Sequence, residues 1–212
     1  MKRFLIAAFA VTLMAPACSD PTANKPAAKV EPAKPEVKPD APKTAMMTYD
    51  INNTNSKVDF VGAKITATHP GSFGTFSGTI VVNDKAAEKA TITVDIDVKS
   101  MKTDDDKLTG HLMSPDFFDA EKFPKANFTS TEIKAGGENG ATHTITGNLD
   151  MHGVKKSITF PAKVTISDTE ATATAEFSIQ RADWGIVYPG MAEDAIKPGV
   201  LMKLDIKAMA KK

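Results

Sequence analysis

The chain has 212 residues, 42% of them hydrophobic, with 26 basic and 26 acidic side chains and a single cysteine, Cys18. The formal net charge is +0, so composition gives no support for nucleic acid as a partner. One cysteine excludes an internal disulfide and leaves the rest of the chain without thiol chemistry.

Residues 1–17 have the pattern of a bacterial export signal. A basic start precedes an apolar run over residues 4–14, which is shorter than the roughly 20 residues of a membrane-spanning helix. Small residues then lead to Cys18, an arrangement that resembles the lipobox of bacterial lipoproteins. In that family the cysteine becomes the first mature residue and carries acyl chains such as palmitate. The alternative is an ordinary secretory signal that is cut after Ala17.

The residue after the cysteine also bears on location. Ser19 stands where bacterial lipoproteins retained in the inner membrane have an aspartate. The sequence therefore predicts a protein on the periplasmic side of the bacterial cell envelope, lipid-anchored to the outer membrane. Without lipidation it would be soluble in the periplasm.

Residues 18–46 have the composition of a linker. The segment holds six prolines and alternating lysine and glutamate, and it has no aromatic residue. Such a segment cannot bury enough apolar surface to offset the entropy of ordering it. We predict a polyproline-like spacer that reaches up to roughly 80 Å when fully extended.

Residues 47–212 alternate between apolar and polar side chains with the period of β-strands. Alternation is complete over 91–98 and recurs over 171–179 and 200–208, and further strand candidates are 57–63, 75–82, 126–134, 142–149 and 155–166. One apolar and one polar face per strand indicates an antiparallel sheet. Long strands and small inward alanines favour an all-β, eight-stranded barrel with internal space over a sandwich.

A helical insertion is predicted around residues 103–120. Thr103 is the expected N-cap, and the aspartates that follow it suit the helix dipole. Ser114 and Pro115 are typical of a second helix start. The stretch 111–128 carries four phenylalanines among prolines and acidic residues, so the rings either fill the core or line a cavity for an apolar ligand.

Several segments share one further pattern. They are YDINNTNSKVDF at 49–60, GSFGTFSG at 71–78, GHL with DFFD and FP at 110–124, GNLDMHGVKK at 147–156, and RADWG at 181–185. In this order they resemble the YceI family of bacterial polyisoprenoid-binding proteins, over most of 49–208. The first segment departs from the family pattern at Tyr49, Asn52 and Asn55, where the family has Trp, Asp and His.

The resemblance implies a non-enzymatic, lipocalin-like barrel that holds an isoprenoid lipid, either a quinone tail or a polyprenyl chain. We therefore expect a bound lipid and no other cofactor, no metal and no catalytic residue. The candidates for lipid-binding residues are Val58, Phe60, Phe73, Phe76, Ile92, Val94, Ile96, Phe117, Phe118, Ile145, Phe177, Ile179, Met202 and Leu204.

Other functions remain open at this point. The barrel of a structural or stress-response envelope protein would be filled by its own side chains. A lipid hydrolase in the same pocket would need a base such as His111 or His152. The partners we expect are an isoprenoid lipid and the membrane, through the N-terminal anchor at Cys18. Nucleic acid is not expected, and a homodimer is left open.

Two polar residue types stand out. Arg181 is the only arginine after the signal, among many lysines. Its planar guanidinium is suited to an ion pair with Asp183 or with an aspartate of the predicted helix, or alternatively to contact with a lipid headgroup. The histidines are spread too widely for metal-ligand spacing, and we expect them to form hydrogen bonds that fix turns; they are His69, His111, His143 and His152.

Overall fold

The computed structural model describes residues 20–36 and 46–211. The predicted signal peptide and Cys18 lie outside the described residues. The described parts form fourteen strands and the helix α1 (Asp106–Met113). The strands are β1 (Lys29–Pro32), β2 (Met46–Asn52), β3 (Lys57–Ala63), β4 (Thr68–Phe73), β5 (Phe76–Asn83), β6 (Ala90–Asp97), β7 (Met101–Thr103), β8 (Lys125–Ala135), β9 (His143–Met151), β10 (Val154–Ile166), β11 (Glu170–Gln180), β12 (Gly190–Met191), β13 (Asp194–Ala195) and β14 (Gly199–Ala210).

Eight strands close into an antiparallel barrel. The order around the barrel is β2, β5, β6, β8, β9, β10, β11 and β14, and β14 pairs back onto β2 through Met209 and Ala210. Short breaks at 53–56, 74–75 and 98–100 separate β2 from β3, β4 from β5 and β6 from β7. Beyond these breaks β3, β4 and β7 extend the sheet next to β2, β5 and β6, and β3 pairs with the same strand β14. The closed sheet confirms the all-β barrel that the alternation predicts.

The register places the predicted inward residues opposite one another. Leu204 of β14 pairs with Val58 of β3 on one side and with Ala175 of β11 on the other. Lys203, one residue earlier, lies between Asp59 and Glu176. Side chains of successive strand residues point to opposite faces, so the apolar set faces the core and the charged set faces outward.

The helical insertion is shorter than predicted. Asp105 is the N-cap of α1, because its carboxylate accepts a hydrogen bond of 2.8 Å from the Leu108 N–H. Thr103 instead ends β7, and its backbone N–H donates to the Thr109 hydroxyl at 2.9 Å. Ser114 is the C-cap of α1 rather than the start of a second helix. Turns follow it, and the Asp119 backbone in one of them has a φ of 44°.

Residues 20–36 also differ from the prediction of a free linker. This segment, here called the strap, pairs with β10 through β1, from Lys29 opposite Thr159 to Pro32 opposite Lys156. The Ala28 N–H donates to the Ser178 carbonyl of β11 at 2.8 Å. The strap therefore lies between β10 and β11, and Ala28 and Val30 pack against the hydrophobic core.

The seam that the strap fills results from the splaying of two strands. In the described structure β10 pairs with β11 only where Lys163–Ile166 face Ala171–Thr174. Beyond that point the strap takes the place of the missing neighbour, antiparallel to β10 and parallel to β11 at the Ala27–Ser178 bridge. An unpaired strand edge is thereby satisfied by backbone hydrogen bonds from the chain's own N-terminal region.

Candidate functional site: an apolar cavity inside the barrel

A cavity of about 610 Å³ runs through the interior of the barrel. Polar lining residues gather at one end, here called the mouth, where His69, His111, Asp194 and Lys197 contribute to the wall. The opposite end is closed by residues such as Tyr49 and Val82, both 0% exposed. The Tyr49 hydroxyl, the polar group of these two side chains, donates a hydrogen bond to the Ser167 carbonyl at 2.6 Å and is thereby satisfied.

The predicted wall residues lie around this cavity, with Phe76 as the exception. The following residues line it: Val58, Phe60, Phe73, Ile92, Val94, Ile96, Phe117, Phe118, Ile145, Phe177, Ile179, Met202 and Leu204. Phe76 is buried in the core cluster but is not part of the cavity wall. Alternation gives the face of the sheet on which a residue lies, but not whether its side chain reaches the cavity.

A row of three phenylalanines forms one side of the cavity. Phe160 of β10 stacks on Phe177 of β11, with centroids 4.2 Å apart and planes 12° apart, and Phe128 of β8 lies 6.0 Å from Phe160. The list of lipid-binding candidates left out both Phe128, one of the four phenylalanines of 111–128, and Phe160. Both lie in predicted strands, and alternation from Ile158 to Phe160 to Ala162 could have identified the second.

Two glycines make room for aromatic rings in the wall. A Cβ on Gly71 of β4 would lie 2.7 Å from two ring carbons of Phe60, its partner on β3. A Cβ on Gly147 of β9 would lie 2.6 Å from a ring carbon of Phe128 and 2.7 Å from the Thr129 carbonyl oxygen. Only glycine permits these approaches, so both positions shape the cavity wall.

Three rings pack together at the mouth. His111 of α1 meets Phe117 edge-on at 5.0 Å and Tyr188 at 5.1 Å, and Phe117 lies 5.2 Å from Tyr188. The His111 Nε2 atom is 3.0 Å from an Asp116 carboxylate oxygen, which fixes the orientation of the imidazole. Sequence reasoning missed Tyr188, because it follows the last predicted motif and lies in an irregular segment.

Arg181 lies at the mouth without a carboxylate partner. Its guanidinium donates to the Ile186 carbonyl at 2.8 Å and to the Lys197 carbonyl at 3.4 Å. Burial lowers the pKa of the guanidinium, and no ion pair joins it to a carboxylate of residues 20–36 or 46–211. The predicted ion pair with Asp183 or a helix aspartate is therefore wrong, and Arg181 instead contributes positive charge to the cavity wall.

The remaining histidines take separate roles. His152 occupies a left-handed turn with φ of 53°, and its Nδ1 donates to the Trp184 carbonyl at 2.9 Å, as expected for a turn-fixing hydrogen bond. His69 pairs with Asp104 at 3.1 Å, and the His143 Nδ1 lies 2.8 Å from the Thr142 hydroxyl. Within the described ranges, no three His, Cys, Asp or Glu side chains are grouped so that they could hold a metal ion.

The chain has relatives among known proteins. A model of the YceI-like domain family matches residues 49–208. The chain belongs to this family. A UPF0312 protein of Pseudomonas putida (strain GB-1) is 33% identical over 132 residues, which cover 59% of this chain and 68% of that protein.

Solved structures share the YceI-like barrel at lower identity. The crystal structure of Burkholderia cenocepacia BcnA matches with a TM-score of 0.65 at 24% identity and covers 74% of this chain and 99% of its own. A polyisoprenoid binding domain from Saccharophagus degradans matches with a TM-score of 0.61 at 19% identity, covering 77% of this chain and 98% of its own. At these identities the likeness concerns the fold alone.

The strap lies outside the YceI-like match, which begins at residue 49. The family match therefore says nothing about the contacts between the strap and the barrel. In the part of the chain that the structure describes, no helix has the length and apolar character needed to cross a membrane.

Proposed function

We propose that the protein binds one isoprenoid lipid, a quinone or a polyprenyl species, with its tail inside the barrel, and carries or stores it in the bacterial envelope. The observation that carries this proposal is the apolar cavity of about 610 Å³, closed at one end and open at the other. Small-molecule sites typically measure about 300–1,000 Å³, so the cavity is large enough for a ligand.

The lining explains why the ligand would be a hydrocarbon chain. Apart from the mouth, the wall consists of aliphatic and phenylalanine side chains, which offer no hydrogen bonds to a polar molecule. Each methylene removed from water contributes about 0.8 kcal/mol, and the loss of ligand freedom offsets part of that gain. The name of the Saccharophagus degradans relative, a polyisoprenoid binding domain, supports the choice of an isoprenoid.

The mouth would hold the polar end of the ligand. Arg181, His111 and Tyr188 gather there, and Arg181 has no carboxylate that would neutralise it in the described structure. A quinone carbonyl or a phosphate accepts hydrogen bonds from such groups. We assign the headgroup to this end and the tail to the closed end.

A filled structural barrel and a hydrolase have less support. A cavity of about 610 Å³ is more space than a filled core leaves. For hydrolysis, a nucleophile would have to lie within hydrogen-bond reach of a base in the wall. The hydrogen bonds of the base candidates His111 and His152 go to Asp116 and to the Trp184 carbonyl, and among the described residues none joins either imidazole to a serine or threonine hydroxyl.

The N-terminal region supports a location in the envelope. We propose that residues 1–17 are removed after export and that Cys18 carries acyl chains that anchor the protein to the outer membrane. Two acyl chains give stable anchoring where one gives only marginal binding.

Blocking the cavity tests the proposed function. Ala175 lines the cavity, whereas Thr174 beside it on β11 is exposed. We expect Ala175→Phe to weaken binding of a prenylated quinone about tenfold or more, because the added ring occupies space that the tail needs. Thr174→Phe serves as the matched control and keeps the affinity. Equal affinities of both variants, measured by fluorescence titration, would contradict binding inside the barrel.

A further inference from the structure

Three exposed apolar side chains surround the mouth. Ile65 is 51% exposed, Val187 is 67% exposed and Met191 is 65% exposed, and these three residues are here called the rim. Large apolar side chains in such positions lose favourable burial unless another surface covers them. Among the described residues, two other large hydrophobic side chains are comparably exposed, Met46 and Met209, and both lie at the closed end.

The rim is a single connected structure. Ile65 lies in the turn after β3, and its N–H donates to the Ala195 carbonyl of β13 at 3.1 Å. Thr66 in the same turn bonds to Asp194 through its N–H at 3.1 Å and its hydroxyl at 2.9 Å. The hairpin of β12 and β13 carries Met191, so the turn and the hairpin are held together beside the mouth.

The charges near the rim are mostly paired within the protein. Lys64 pairs with Asp194 at 2.5 Å, and His69 lies 3.1 Å from Asp104. Lys197 lies 3.5 Å from Asp20 of the strap, and Glu193 adds a further acidic group at the hairpin tip. This balance gives little attraction to anionic surfaces, so the rim is suited to apolar insertion rather than to electrostatic binding.

The strap brings the N-terminal region to the same end. Asp20 docks on Lys197, and the Thr22 side chain lies against the backbone of Gly199. In the sequence, Cys18 precedes Asp20 by two residues. An acyl chain on Cys18 would enter a membrane beside the mouth, not at the end of a long tether.

We infer that the rim docks on a lipid bilayer, with Ile65, Val187 and Met191 inserted at the interface and the mouth facing the membrane. An acyl chain on Cys18 would add to this docking only if the protein carries the anchor given under the proposed function. Insertion of the rim does not require that anchor. In this orientation an isoprenoid tail passes between bilayer and cavity without crossing water. The occupant of the rim is thus the bilayer itself.

Vesicle flotation tests the docking in the absence of an acyl chain. The full chain is secreted with Cys18→Ser, stripped of ligand, and mixed with phosphatidylcholine vesicles. We expect it to float with the vesicles at low and high salt. The triple variant Ile65→Ser, Val187→Ser and Met191→Ser should lose about tenfold or more in partitioning, because three apolar side chains no longer insert.

A double variant at the closed end provides the matched control. Met46→Ser with Met209→Ser removes a similar exposed apolar surface and should leave partitioning unchanged. A fluorophore on Met191→Cys should shift to the blue on adding vesicles, whereas one on Met46→Cys should not. This labelling also detects docking if the triple variant misfolds.

Other results would overturn the inference. The inference fails if the protein does not float with the vesicles, if high salt abolishes flotation, or if the triple and the double variant lose flotation equally. It also fails if light scattering shows a doubled mass that the triple variant removes, because a second copy of the chain would then cover the rim. Lipid binding by the triple variant is measured separately, in detergent and without vesicles. Docking can therefore fail while the proposed lipid binding holds, and the reverse is also distinguishable.

Discussion

At the residue scale, the cavity depends on glycines placed against aromatic rings. The nearest neighbours of a Cβ on Gly71 would all be ring atoms of Phe60, whereas a Cβ on Gly62 of the paired strand would have no atom within 4 Å. The sequence predicted which face Phe60 occupies, because alternation follows from strand geometry. It could not predict that Phe160 stacks on Phe177, since that contact depends on how two strands pack.

The contrast between two glycines gives a stability prediction. Gly71→Ala should lower the free energy of unfolding by about 1–3 kcal/mol, because the Phe60 ring has to move out of a packed site. Adding Phe60→Leu should recover part of this loss. Gly62→Ala should leave stability within about 0.5 kcal/mol, because the added methyl group enters open space at the cavity wall and meets no atom within 4 Å. Urea denaturation of the four proteins measures the difference, and equal losses for the two alanine variants would contradict the close approach.

At the element scale, the strap is the main departure from the sequence-based prediction. Its proline-rich composition is typical of disorder, and no alternating pattern in it predicts a strand. Its order comes from the barrel, because β10 and β11 splay and expose backbone groups that the strap satisfies. Composition describes what a segment can bury by itself, so it could not predict a partner provided by two distant strands.

Asn148 is a buried side chain that helps to hold the strap on the barrel. It is 1% exposed, accepts from the Lys34 N–H at 2.9 Å and donates to the Lys34 carbonyl at 2.7 Å. Asn148→Ala should lower the free energy of unfolding by about 1–3 kcal/mol, because two buried hydrogen bonds are lost. Hydrogen exchange at Ala28 should speed up at the same time. Asn127→Ala on the neighbouring strand β8 is the control, and unchanged exchange in Asn148→Ala would show that the strap holds without it.

The start of α1 gives a prediction about pH. The hydrogen bond from the Leu108 N–H lowers the pKa of the Asp105 carboxyl. A lowered pKa in the folded state means that the cap stabilises α1 fully above the ordinary aspartate pKa of about 3.9 and loses this effect as pH falls through the lowered value. Asp105→Asn keeps a capping side chain without a titrating charge.

Exchange of the Leu108 amide measures that effect. We expect protection in the wild type to fall on acidification through this range, and protection in Asp105→Asn to change much less. A parallel fall in both proteins would assign the pH dependence to other groups.

At the scale of the whole molecule, the two ends of the barrel have different characters. One end is sealed by buried side chains such as Tyr49, and the other gathers Arg181, His111 and Tyr188 around an opening. The barrel and most of its wall followed from alternation and from the resemblance to the YceI family. The internal space followed only as an expectation, because its size depends on strand kinks and ring positions that one sequence does not specify.

Native mass spectrometry of the full chain, secreted into a bacterial periplasm and purified without detergent, tests the central claim most directly. We expect an adduct with the mass of a quinone or a polyprenyl lipid, lost after organic extraction and regained when the extracted lipid is added back. Ala175→Phe should reduce the adduct, whereas Thr174→Phe should retain it. A bare protein that also fails to take up added prenyl lipids would contradict isoprenoid binding in the cavity.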